Sequence, residues 1–131
     1  MIVTDSFREC RDFYCRWFAF DVGFEADWIV ILRGGGEERP VTLGFMHSTH
    51  PSAPPAPAPF SGDGMLLSFQ VADARAEYQR LAQAGIQFEL HLTDEPWGQR
   101  RFAVVDPAGV WVDVVEQIDP AEGWWDPYLE V

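Results

Sequence analysis

At 131 residues, 47% hydrophobic and 23% charged, the chain has the size of one domain, or of two small repeated modules sharing a core. It is too short for a barrel enzyme. A formal charge of -12, from 21 acids against 9 bases, repels phosphate backbones and anionic leaflets, which argues against nucleic acid and membranes as partners. All the bases are arginine, so mechanisms that need a lysine Schiff base or a phosphate-loop lysine are excluded.

No apolar run approaches the ~20 residues that span a bilayer, and the first 20 residues lack the basic start and apolar core of a leader; the expectation is a cytoplasmic protein. The segment SFRECRDFYCRWF begins with Ser6 and places Glu9 three positions later, the pattern of a capping box, so a helix is expected to start there. Phe7, Cys10, Phe13 or Tyr14, and Trp17 then form its apolar stripe. Cys10 and Cys15 on that helix point about 140° apart, out of disulfide reach, and read as reduced packing residues.

Strands are expected near residues 19 to 25, 27 to 33 and 40 to 46, with a turn at Gly34, Gly35 and Gly36 between the last two. Residues 47 to 63 are proline-rich, which forbids helix and central strand and marks a midpoint linker. His47 and His50 at its mouth would make a metal pair only on a helix, and read instead as loop residues. The order of elements then returns: a strand at 65 to 71, a helix from Asp73 to Ala84 stopped by Gly85, and strands at 86 to 92, 100 to 105 and 110 to 116. Asp106-Pro107-Ala108-Gly109 is the turn between the last two. Both halves thus read β-α-β-β-β, with module one at 1–46, the linker at 47–63, module two at 64–118 and a tail at 119–131, together one domain.

That duplicated order, the string EPWGQRRFAVVDPAGVWVDVVE (Glu95 to Glu116) and the stretch VTDSFRECRDFY (Val3 to Tyr14) resemble the vicinal oxygen chelate superfamily of glyoxalases, bleomycin resistance proteins and extradiol dioxygenases. The resemblance covers about residues 3 to 117. It implies an α+β fold in which two βαβββ modules curl a mixed sheet into a cleft, with helices on the convex side and often a homodimer. It also implies that Leu67, Phe69 and Val71, or Val110, Val112 and Val114, face a helix while their neighbours face the cleft.

Metal-dependent relatives carry His or Glu ligands on the first and fourth strands of one module and the equivalents of the other. The resemblance places the fourth-strand position on Gly44, the fifth on Leu66 and the eighth on Asp113, with the first upstream of Met1. Gly44 and Leu66 cannot donate, so neither metal nor other cofactor is expected. Asp113, flanked by Trp111 and Val115, is the sharpest candidate site residue: it either binds a ligand's amine or guanidinium, or pairs with Arg100 or Arg101.

Trp28, Phe60, Trp97 and Trp111 are the aromatics expected to border a cleft, where flat rings take flat ligands and cations. Leu66 and Ser68 share the inward face of the fifth strand, with Gln70 beyond them. Trp124 and Trp125 would cover the cleft or a partner chain. Missing metal donors, abundant aromatics and acidity point to a non-catalytic member that sequesters a small aromatic compound, a cationic one by reason of the charge, such as an antibiotic. The alternative is a lyase, isomerase or dioxygenase, metal-dependent or using Asp113, Glu89 or His91, with His91 as general base.

Overall fold

The computed structural model describes residues 1–51 and 58–129; the centre of the expected linker lies outside the described residues. Contacts divide the chain into two compact units, Met1–Gly64 with Asp106–Val110, and Met65–Val105 with Trp111–Val131. Each carries one helix and a four-stranded mixed sheet, so the fold is α+β with the repeated β-α-β-β-β order.

In the first unit β1 (Ile2–Val3) runs parallel to β4 (Val41–Met46), which pairs antiparallel with β3 (Ile29–Gly34), which pairs antiparallel with β2 (Asp21–Ala26). The helix α1 (Phe7–Trp17) packs on this sheet. Its buried residues are Phe7, Cys10 and Tyr14, spaced to fall on one side. They meet Val30, Leu32 and Phe45, each fully buried, and the Tyr14 ring stacks on Phe45 at 5.4 Å. Burial of each large side chain stabilises this layer by roughly 1.5–3 kcal/mol. The expected capping box does not form: the Ser6 side chain caps nothing, and the Ser6 amide donates to Thr4 Oγ1 instead. Ser6 has φ -88° and ψ 31°, which departs from the extended backbone that aims a capping hydroxyl at the third helical amide.

The second unit repeats the plan. Here β5 (Leu66–Gln70) is parallel to β8 (Trp111–Gln117), followed by antiparallel β7 (Gln99–Val105) and β6 (Leu90–Glu95). The helix α2 (Ala74–Gln83) packs on β6, β7 and β8. Asp73 caps it by accepting from the Ala76 amide, and Gly85 (φ +86°) follows it in the left-handed conformation, as the sequence implies. Both outer hairpin strands carry a register shift, between Val22 and Phe24 in β2 and between Leu90 and Thr93 in β6. The halves therefore share this irregularity as well as their order.

Strand β6 begins four residues later than expected. Residues 86–89 run beneath α2, where Phe88 packs against Tyr78 at 4.5 Å and Phe102 at 5.6 Å, and strand pairing starts only at Leu90. A hairpin turn at Pro96-Trp97-Gly98 carries β6 on through Glu95. Beyond β8, a short 3-10 turn, Asp126–Tyr128, ends the described chain. The described parts of the expected linker, residues 47–51 and 58–63, hold neither helix nor strand.

Candidate functional site

Register assigns the faces of the second sheet. Val112, Val114, Phe102 and Val104 are buried and share the side on which α2 lies. On the opposite, helix-free side Leu66 stands beside Trp111, Ser68 beside Asp113, and Arg101 beside Val115. Strand alternation thus brings Leu66, Ser68, Trp111 and Asp113 to one surface, as the sequence implies.

Asp113 is only 5% exposed, and both its oxygens are engaged. Arg101 donates from Nη1 to Oδ2 at 2.9 Å, and the Trp111 indole N–H donates to Oδ1. Of the two arrangements expected for Asp113, the ion pair with its β7 neighbour Arg101 is the one the structure holds. Arg100 lies on the helix side and pairs with Asp94 at 2.7 Å, and its hydrogen bond holds the Asp94 carboxyl below the usual range.

Trp97 joins the same surface from the β6–β7 turn. Its indole donates to Gln99 Oε1 at 2.8 Å, and its ring centre lies 5.5 Å from Arg101 Cζ, a cation–π contact. Trp124 packs on Trp97 with ring centres 5.9 Å apart, and Trp125 donates to the Trp97 carbonyl at 2.9 Å. The C-terminal tryptophans thus extend the Trp97 wall. Trp28 and Phe60 belong to the first unit: Trp28 sits in the β2–β3 turn, its carbonyl accepting from the His47 amide, and the Phe60 amide donates to the Val3 carbonyl.

Two residues of this surface lie outside the site the sequence implies: Glu95, three residues past the expected end of its strand at 92, and Arg101, expected only as a partner for Asp113; the alternation of β7 carried across the turn places both. His91, the expected general base, lies instead on the helix side, its Nδ1 2.8 Å from the Tyr78 hydroxyl of α2. Glu89 lies outside β6, its amide donating to the Ala103 carbonyl.

The residues at the family's ligand positions do not fit a divalent ion. At Gly44 an added Cβ would lie 2.7 Å from Met1 Cε and 3.0 Å from Ile31, so hydrocarbon and thioether fill that place. The first strand is Ile2–Val3, and the residue that reaches Gly44 is Met1. Leu66 offers no donor, and Asp113 is spent on Arg101 and Trp111. Among the described residues no three His, Cys, Asp or Glu side chains converge.

The family profile "Glyoxalase/Bleomycin resistance protein/Dioxygenase superfamily" matches residues 1–114. The chain belongs to this superfamily. Among solved structures it resembles a superfamily protein from Nocardioides (18% identity, TM-score 0.72, covering 90% of this chain and 80% of that one). It also resembles a lactoylglutathione lyase from Agrobacterium tumefaciens (21%, 0.68, 88% of each chain). A third is a bleomycin-binding protein complexed with bleomycin (22%, 0.62, 88% of this chain and 93% of that one). No curated protein sequence matches the chain. At these identities the likenesses establish the fold of this superfamily member. No helix among its described residues is long and apolar enough to cross a membrane.

Proposed function

We propose that this superfamily member binds a small, flat aromatic compound against the helix-free side of its second sheet and holds it without converting it. The observation that carries the reading is the state of Asp113. It is the one oxygen donor at the superfamily's ligand positions here, and each of its oxygens already accepts a hydrogen bond, from Arg101 and from Trp111. Beside it the surface offers a flat ligand Leu66, 52% exposed, the Trp111 ring and the Trp97 wall, with Ser68 for a neutral hydrogen bond. Stacking on such rings contributes about 0.5–1.5 kcal/mol per contact.

The similarity to a bleomycin-binding protein makes bleomycin a first compound to test. In this reading the whole chain acts as one domain, as a cytoplasmic homodimer, and protects by sequestration. Titrating the protein with bleomycin and with planar aromatic antibiotics while following tryptophan fluorescence tests it. Saturable quenching that is lost in Trp111→Ala is the expected result. Stoichiometric divalent metal in the purified protein, together with turnover of a hemithioacetal or catechol, would overturn it in favour of an enzyme.

A further inference from the structure

Among the strand residues on the helix-free side of the second sheet, charge is confined to Glu95 on β6, Arg101 on β7 and Asp113 on β8. These three are not equivalent. Arg101 and Asp113 are joined at 2.9 Å, and Trp111 takes the second oxygen of Asp113. Glu95 comes no closer to Arg101 than 3.7 Å, from Oε1 to Nε, which is ion-pair range and too long for a hydrogen bond. Arg101 Nε is itself buried without a hydrogen-bond partner. The Glu95 carboxylate thus faces a guanidinium that is tied through Nη1 to Asp113, and its contact with Nε stops short of a hydrogen bond. Its side chain is only 15% exposed, and no donor among the described residues satisfies either oxygen.

A carboxylate largely withdrawn from water and lacking donors is under-solvated, and a cation carrying N–H groups relieves that most directly. Two carboxylates against one guanidinium also leave this surface with a negative charge in excess. The Trp97 ring, which already faces Arg101 Cζ, supplies an aromatic wall next to Glu95 along the chain. We infer that Glu95, and not Asp113, receives the positive charge of the ligand: an ammonium, amidinium or guanidinium attached to the flat compound. The assignment rests on the ligand reading of the preceding section. It makes Glu95 the residue that separates cationic from neutral ligands of the same shape, while Trp111 serves both.

Two probes of matched shape separate these roles in the intact protein: 9-aminoacridine, a cation near neutral pH, and acridine, neutral under the same conditions. Calorimetric titration of the wild-type protein should give tighter binding of 9-aminoacridine, weakened by added salt. Glu95→Gln, which keeps size and removes charge, should weaken 9-aminoacridine about tenfold and leave acridine within about twofold. Glu95→Asp should retain part of the preference. An unchanged ratio of the two affinities in Glu95→Gln would overturn the assignment. If Glu95→Gln weakens the cation but Trp111→Ala alters neither probe, the flat-ligand surface is wrong while the Glu95 assignment survives. If neither probe binds the wild-type protein, both are wrong.

Discussion

The Tyr14 hydroxyl donates to Asp106 Oδ2 at 2.7 Å, joining helix α1 to the turn between β7 and β8 across 92 positions of sequence. Asp106 is 4% exposed, and its other oxygen accepts from the amides of Ala108 and Val110. One carboxylate therefore closes the turn and anchors it to the helix, and residues 106–110 group with the first unit. Tyr14→Phe removes a buried hydrogen bond to a charged group while keeping the ring. It should lower stability by about 1.5–3 kcal/mol in urea denaturation.

The pH dependence of that loss has a definite sign. Burial raises the Asp106 pKa above its ordinary 3.8, against the lowering influence of Tyr14 and the turn amides. The folded state then binds the proton more tightly than the unfolded one. Stabilisation from Asp106 is accordingly fully present below the unfolded pKa and lost as pH rises through the folded value. Removing the Tyr14 hydroxyl raises the folded value further. The deficit of Tyr14→Phe should therefore be largest near neutral pH and shrink in acid; a deficit that grows on acidification would refute the account.

Breaking the ion pair beneath Trp111 should separate stability from shape. Arg101→Met leaves Asp113 buried with the indole alone and should cost about 1–3 kcal/mol, moderated because the arginine side chain is 21% exposed. Adding Asp113→Leu should recover much of the loss. A double-mutant cycle measures the coupling, and a value near zero would show the two residues to be independent.

Glycines at two turns predict different penalties. Gly85 has φ +86° with nothing within 4 Å of an added Cβ, so Gly85→Ala carries only the conformational term, about 1–2 kcal/mol. Gly98 has φ +110°, and its Cβ would lie 2.9 Å from the Ile118 carbonyl oxygen. Gly98→Ala should be clearly more destabilising. It should also alter the near-ultraviolet circular dichroism of Trp97, Trp124 and Trp125, since the tail rests on this turn.

The two thiols should differ toward an aromatic disulfide reagent. Cys10 is fully buried, and burial pushes its pKa to about 12, so it should stay silent until the protein unfolds. Cys15 is partly exposed with a pKa also raised by burial, and should react slowly in the native state. Two fast-reacting native thiols would contradict the packing of α1.

Much of the fold was legible because its signals are local. Phe7, Cys10 and Tyr14 recur at helical spacing, Asp73 and Gly85 bracket α2, and the Asp106–Gly109 turn separates β7 from β8. The boundaries that shifted did so where a distant contact overrode a local pattern. Phe88 looks like a strand residue, yet Tyr78 and Phe102 hold it under the helix and delay β6 to Leu90.

The amino-acid order alone determined the duplicated architecture, the absence of donors at Gly44 and Leu66, and the alternation that puts Trp111 and Asp113 on one side of a strand. Those properties depend on residue type and on spacing along a single element. Only the folded chain decided that Arg101 pairs with Asp113, that His91 turns to the helix, and that the Glu95 carboxylate meets no hydrogen-bond donor among the described residues. Each of these depends on which strand lies beside which and in what register, and hydrogen bonds reach only about 3 Å, so a shift of one residue would reassign them all.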